Sequence, residues 1–453
     1  MKRFLFLSLS IFFSLLLVFY LSSRVLAFFK PYLPFTNYLL GIDRPTSYLI
    51  LLGNDAEMRA NGGFAGSYAK LTLSTKRLEF LNPRVLEFFL KTRIPKPTIT
   101  FEFQDIYVPN GQIAGLFVKP PEPIQQAFGH GTWELANADW EPDFPSSAKT
   151  IRWFLEKGRE INPDILAILN LSTIKKVLAV VGSFPVPEHS ATLTPDNLYL
   201  FLQGKAELNF FPGSTQKKDA LTAVGSALVK KIKSLSFIQK LRIAQILYTD
   251  IIDQNIMIHS TNLSFQSLLK QKKLAGVFQS EAFDTYSMIE TNLGANKANA
   301  FITRQTNHVI SSVAEKSPST TIHHSVTIQF QNSSIEANPN PPLHYGGNYI
   351  AYLRLYIPEN AQNISLSRTP SDYRELTSEN YDLKSAYGLT EIGFWHTTLA
   401  GGESTITLSY TLPNQANYSL AILKQHGLVS SPQTIDLFGQ PLATNLTQSF
   451  YYP

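Results

Sequence analysis

The residues best suited to chemistry form one polar run, Gly53-Asn54-Asp55-Ala56-Glu57-Met58-Arg59-Ala60-Asn61-Gly62-Gly63. It follows Ser47-Tyr48-Leu49-Ile50-Leu51-Leu52, a short apolar stretch that reads as a buried strand ended by Gly53. A strand-to-loop junction at the carboxyl end of a sheet is where α/β folds place ligands. Within such a loop Asp55 and Glu57 can hold Mg2+, which takes carboxylates together with substrate phosphate oxygens. Arg59 can contact a phosphate, Gly62-Gly63 lets backbone amides approach it, and Asn54 completes the ligand-binding set. The same residues also fit a structural account, a tight turn with a Glu57–Arg59 pair and glycines supplying positive φ.

A second constellation is Asp139, Trp140 and Asp143. Two carboxylates beside an indole suit a ligand or metal site, or a sugar-binding groove. Equally, Asp143 fits as the cap of a helix opening near Ser146, with Trp140 in the core. Familiar hydrolytic chemistry is excluded. Ser-x-x-Lys occurs at Ser67, Ser146, Ser172 and Ser267 without a Lys-Thr-Gly. There is no Walker A, no His-Glu-x-x-His and no Gly-x-Ser-x-Gly. The absence of cysteine removes disulfides, thiol catalysis and cysteine metal sites. His323 and His324 adjoin in a strand and so point to opposite faces, and the nine histidines indicate no metal site. Tyr349, Tyr352 and Tyr356 fit either a glycan-binding face or ordinary sandwich positions.

The elements that position these residues begin with residues 4–23, an uncharged run of Phe, Leu, Ile and Val. About 20 such residues span a bilayer, and Lys2 and Arg3 place the N-terminus in the cytoplasm. A cleaved signal peptide has a shorter apolar core, and Val25-Leu26-Ala27 is a poor cleavage site. The expectation is a single-pass anchor with the bulk of the chain extracytoplasmic. Four of the five net positive charges, Lys2, Arg3, Arg24 and Lys30, fall in the first 42 residues, which contain no acid. About +1 therefore remains from Asp43 onward, without the basic stripe that nucleic acid requires.

Residues 24–45 read as a connector. Residues 46–310 read as an α/β domain with a central mixed sheet. A second strand is expected over 64–73, an irregular, proline-rich excursion over 82–135, and a helix from Ser146 or Ser147 to Lys157. Residues 164–170 read as a central strand, 172–181 as a helix stopped by Gly182, and Thr194-Pro195 as the start of another helix. A further helix is expected over 217–234. Period-2 alternation at 325–330, 349–357 and 404–410 predicts that 311–453 is an antiparallel, immunoglobulin-like β-sandwich.

The run from Leu51 to Phe64 resembles the N-x-x-E-x-R-x-x-G-G-F signature of the DUF4012 family. Ala138-Asp139-Trp140-Glu141-Pro142-Asp143-Phe144-Pro145 resembles its second signature. Weaker similarity lies at 292–299 and at Lys424-Gln425, so the likeness extends over most of the chain beyond residue 46. A more distant likeness is to LytR-CpsA-Psr (LCP) envelope proteins, carried by the strand before Gly53-Asn54-Asp55 and by residues 146–186. Where the LCP pattern has arginines, this chain has Arg59-Ala60-Asn61 and Lys217-Lys218-Asp219. The resemblance implies a membrane-anchored envelope protein that binds a wall glycan or lipid-linked precursor. Its alternative implication is a divergent Mg2+-dependent phosphotransferase acting on polyprenyl-pyrophosphate glycans.

Overall fold

The computed structural model describes residues 30–42, 44–75, 98–113, 115–129, 131–207, 215–314, 320–334, 346–369 and 381–453. The expected membrane span, 4–23, lies outside the described residues. Among the described residues no helix is long and apolar enough to cross a membrane.

The first half of the chain builds a mixed sheet covered on both faces. A 3-10 turn and α1 (Thr36–Leu40) lead into β1 (Thr46–Arg59), which returns as β2 (Gly62–Ser74) and β3 (Thr98–Asp105). The expected irregular excursion thus contributes an edge strand, followed by the short helices α2 (Tyr107–Gln112) and α3 (Glu122–Ala127). Next come α4 (Phe144–Lys157), β4 (Ile165–Asn170), α5 (Leu171–Val181), and a small ribbon of β5 (Phe184–Val186) and β6 (Ala191–Leu193). Helices α6 (Leu198–Glu207), α7 (Gln216–Ser234) and α8 (Phe237–Ile252), strand β7 (Ile256–Ser260) and α9 (Leu263–Gln271) complete the unit.

The sheet order is β3-β2-β1-β4-β7; only the β1–β4 pair is parallel. A central strand must bury both faces, which is why Tyr48 to Leu52 is continuously apolar. Leu49 and Leu51 pack beneath α4 with Phe144, Ile151 and Phe154. Tyr48 packs on the opposite face with residues of α1 and α9. Helix α4 is capped by Asp143, whose side chain accepts from Ser146 N at 3.0 Å, a device worth about 1 kcal/mol. Helix α6 opens later than expected. Thr194 and Asn197 exchange side-chain-to-backbone hydrogen bonds that hold a turn before Leu198.

The remainder is β-rich, and it starts earlier than residue 311. Strand β8 (Asp284–Asn292) already belongs to it, followed by β9 (Ile302–Ala314), β10 (Thr320–Asn332), β11 (Tyr349–Pro358) and β12 (Gln362–Thr369). Then come β13 (Asp382–Ala386), β14 (Leu389–Thr398), β15 (Glu403–Pro413), β16 (Leu420–Leu423), β17 (Pro432–Leu437), β18 (Gln440–Asn445) and β19 (Phe450–Tyr452). They form two six-stranded sheets, β12-β15-β10-β9-β17-β18 and β13-β14-β11-β8-β16-β19, sharing one core. Two parallel pairs, β8 with β16 and β9 with β17, depart from the expected antiparallel, immunoglobulin-like pattern. They arise because the C-terminal segment returns beside the first strand of each sheet. Tyr349, Tyr352 and Tyr356 are all buried, their hydroxyls donating to Glu290, Asp382 and Glu391, so they make no glycan-binding face.

Candidate functional site

The expected loop at 53–63 is not a loop. Strand β1 continues to Arg59 through irregularities at Leu52/Gly53 and Asn54/Met58, then turns at Ala60-Asn61 into β2. Bulges break the period-2 alternation, so this strand end looks irregular in the sequence. Asn54 accepts through its side chain from Ala56 N at 3.2 Å. Asp55 accepts from Ser172 N at 3.2 Å in the first turn of α5, where a carboxylate favours the helix dipole. Glu57 is buried and accepts from Arg59 Nη2 at 3.0 Å. Asp55 and Glu57 are thus held by different partners, one on α5 and one on β1. Among the described residues no three His, Asp or Glu side chains gather to hold a metal.

Arg59 and the glycines are likewise spent on structure. Arg59 is buried, donates to the carbonyl of Asn292 at 2.5 Å and to Asn137 Oδ1 at 3.3 Å, and lies over the Phe64 ring. Gly63 N donates to Asn170 Oδ1 at 2.9 Å, and a Cβ on Gly63 would overlap the backbone of Asn54 and Asp55. Gly62 has φ +130°, a region that L side chains rarely adopt.

The second constellation joins the same junction. Asp139 accepts from Asn61 Nδ2 at 2.6 Å, and burial raises its pKa to about 6 against these hydrogen bonds. Asn61 in turn bonds His426 Nδ1 at 2.9 Å. Asp143 caps α4 and also accepts from Phe278 N at 3.1 Å. Trp140 is buried beneath Arg354 of β11, whose Nη2 donates to the Trp140 carbonyl at 2.8 Å. Met58 N donates to Asn299 Oδ1, and Gln425 Nε2 donates to the Arg59 carbonyl. Lys424 reaches Asp253 O and Asn255 Oδ1, and burial lowers its pKa to about 7. These residues weld the α/β unit to the sandwich. They are a joint, not an open ligand-binding loop.

Beside that joint lies a cavity of about 240 Å³ between the sheet and the helical layer. Leu52, Leu171, Ile174, Leu202 and Leu221 supply its aliphatic wall, from β1, α5, α6 and α7. Asn54, Glu57, Ser67, Gln203, Lys217 and Lys297 supply its polar groups. Of the eight residues expected at a site, Asn54 and Glu57 line it. The Lys217 ammonium is fixed by the Gly66 carbonyl at 2.6 Å and by Asp105 at 2.9 Å. Aliphatic walls with a few placed polar groups are the usual make-up of a small-molecule site.

Residues 43–206, just over a third of the chain, match the model of a family described as "Protein of unknown function (DUF4012)". This segment is the part of the chain that is similar to DUF4012. The match ends at 206 and so is narrower than the likeness expected beyond residue 46. No curated protein matches the chain. Similar solved structures include a putative nutrient binding protein from Legionella pneumophila subsp. pneumophila str. Philadelphia 1. It is 8% identical, over 34% of this chain and 54% of that one, with a TM-score of 0.23. The chain thus spans about half the length of that protein. Lin1025 from Listeria innocua is 13% identical over 54% of this chain and 85% of that one, with a TM-score of 0.27. TagV from B. subtilis is 15% identical over 51% and 80%, with a TM-score of 0.26. At these TM-scores the likeness carries no argument about the site.

The DUF4012 segment supplies β1, β2, α5 and α6, and hence most of the cavity wall. Lys217, Leu221 and Lys297 come from beyond it. Sequence reasoning missed the wall because Leu171, Ile174 and Leu202 look like ordinary core positions of helices. The spacing of Lys217 and Leu221, one helical turn apart, is the local signal that sets them on one face.

Proposed function

We propose that the protein acts outside the cytoplasmic membrane, tethered through residues 4–23, and binds an anionic amphiphile of the cell envelope, such as a lipid-linked glycan precursor. The cavity between the sheet and α5, α6 and α7 carries this reading. Its aliphatic wall suits part of a hydrocarbon chain, and Lys217 and Lys297 at its polar side suit a phosphate. Lysine serves here as a point charge on a phosphate, without the bidentate grip of arginine. Binding is favoured over phosphotransfer because Arg59 and Asp55 are occupied by the carbonyl of Asn292 and the first turn of α5.

The test is titration of the full chain, reconstituted in nanodiscs, with a polyprenyl pyrophosphate in the presence and absence of Mg2+. Saturable, Mg2+-independent binding is expected. Leu202→Trp, which fills the cavity, and Lys217→Ala, which removes a charged partner, should each weaken it by about 10-fold. A folded wild-type chain that does not bind would sink this reading. A strict Mg2+ requirement abolished by Glu57→Gln would replace it with the phosphotransferase.

A further inference from the structure

The hairpin of α7 and α8 presents an outer surface that the described residues leave uncovered. The two helices meet at Leu235-Ser236, where Leu235 is buried and Ser236 with Gln239 closes a capping box. Ile243, Ile246 and Leu247 turn inward and pack with α5. Phe237, Ile238 and Leu241 point outward, 74%, 64% and 52% exposed, with Tyr248 further along the same helix at 42%. Large apolar side chains this exposed, grouped on one helix, mark a contact surface.

Its charge is equally one-sided. From Ala220 to Thr249 the chain has Lys230, Lys231, Lys233, Lys240 and Arg242 and no acid. The near-neutral balance from Asp43 onward conceals this local excess. An apolar stripe flanked by cations is the signature of a helix lying in a bilayer interface, with anionic headgroups meeting the cations. Nucleic acid would leave Phe237, Ile238 and Leu241 unused. The other end of α8 faces the start of the described chain, since Ile251 and Ile252 share a cluster with Tyr32 and Phe35. That segment follows the apolar run 4–23 in the sequence.

The geometry points to the α7–α8 hairpin as a membrane-docking tip that inserts Phe237, Ile238 and Leu241 into an anionic lipid surface. Docking would hold the α/β unit against the bilayer rather than letting it swing on a connector. It uses a different surface from the cavity, and the two stand or fall separately.

The absence of native cysteine gives a clean test. Ile238→Cys carries a bimane fluorophore on the full chain, reconstituted in vesicles of phosphatidylcholine with or without phosphatidylglycerol and containing spin-labelled quencher lipid. A label at Thr407→Cys, on the outward side of β15, serves as the reference. Quenching at 238 several-fold above the reference, greater with phosphatidylglycerol, is expected. Replacing Lys230, Lys233, Lys240 and Arg242 by Gln should lower the docked-to-undocked ratio about 5-fold per cation at low salt. Equal quenching at both labels overturns the proposal. So does protection of the 238 label that depends on protein concentration or on added DNA instead of lipid, which would make the tip a self-contact or a nucleic-acid surface.

Discussion

Gln425 Nε2 donates to the backbone carbonyl of Arg59 at 2.9 Å, closing a contact between residues 366 apart in the chain. The same amide nitrogen donates to Glu290 O, and its Oε1 accepts from Glu290 N at 2.9 Å. One buried side chain therefore satisfies the tip of the β1–β2 hairpin and the middle of β8 together. Arg59 reciprocates by donating to the Asn292 carbonyl. The two units of the chain are locked through hydrogen bonds that neither could complete alone.

Arg59→Ala should therefore act on stability before it acts on binding. It leaves Glu57 as an uncompensated buried carboxylate and the Asn292 carbonyl without its donor, a combination costing about 3–5 kcal/mol. Urea unfolding followed by circular dichroism should show the midpoint fall, while the population still folded keeps its affinity for ligand. An unchanged midpoint with lost binding would return Arg59 to a ligand-contacting role.

Gly63→Ala tests the close approach at the hairpin. The added methyl would overlap the Asn54 backbone, which cannot yield without breaking the β1–β2 register. A loss of about 3 kcal/mol or more is expected, read as a lowered thermal midpoint. Gly111→Ala, where a Cβ would meet nothing within 4 Å, should change it by less than about 0.5 kcal/mol. Comparable effects at the two sites would refute the packing argument.

Asp139 predicts a pH dependence of defined sign. Its carboxyl titrates at about 6 in the folded protein because burial opposes the charge, against about 4 in the unfolded chain. Between those values the folded state holds a proton that the unfolded state has released. Stability from this group is thus present below about pH 4 and lost as pH rises to about 6, by roughly 3 kcal/mol. Asp139→Asn should remove that downward slope from a series of urea midpoints. An identical slope in wild type and variant would show that Asp139 is already ionised below this range.

What was legible followed from local physics. The apolar runs at 47–52 and 164–170 marked central strands, Asp143 fitted the cap of a helix expected near Ser146, two residues later than the helix begins, and alternation at 325–330 and 404–410 marked half-buried strands. Each signal depends on residues within a few positions of one another. The tip at 53–63 misled for the same reason, since two bulges erase the alternation that identifies a strand.

The sequence by itself determined that this chain alternates helices and strands before becoming β-rich, that thiol chemistry is closed to it, and that Arg59, Gly62, Gly63, Asp139 and Asp143 are special. Tertiary structure decided what those residues do. Buried carboxylates, guanidinium groups and glycines have the same local appearance in an active site and in a welded joint. Only partners far away in the chain distinguish the two, here Asn292 and Gln425 for Arg59, and Phe278 for Asp143. The cavity, too, exists only because helices from separate parts of the chain stack against one face of the sheet, leaving space that no local pattern encodes.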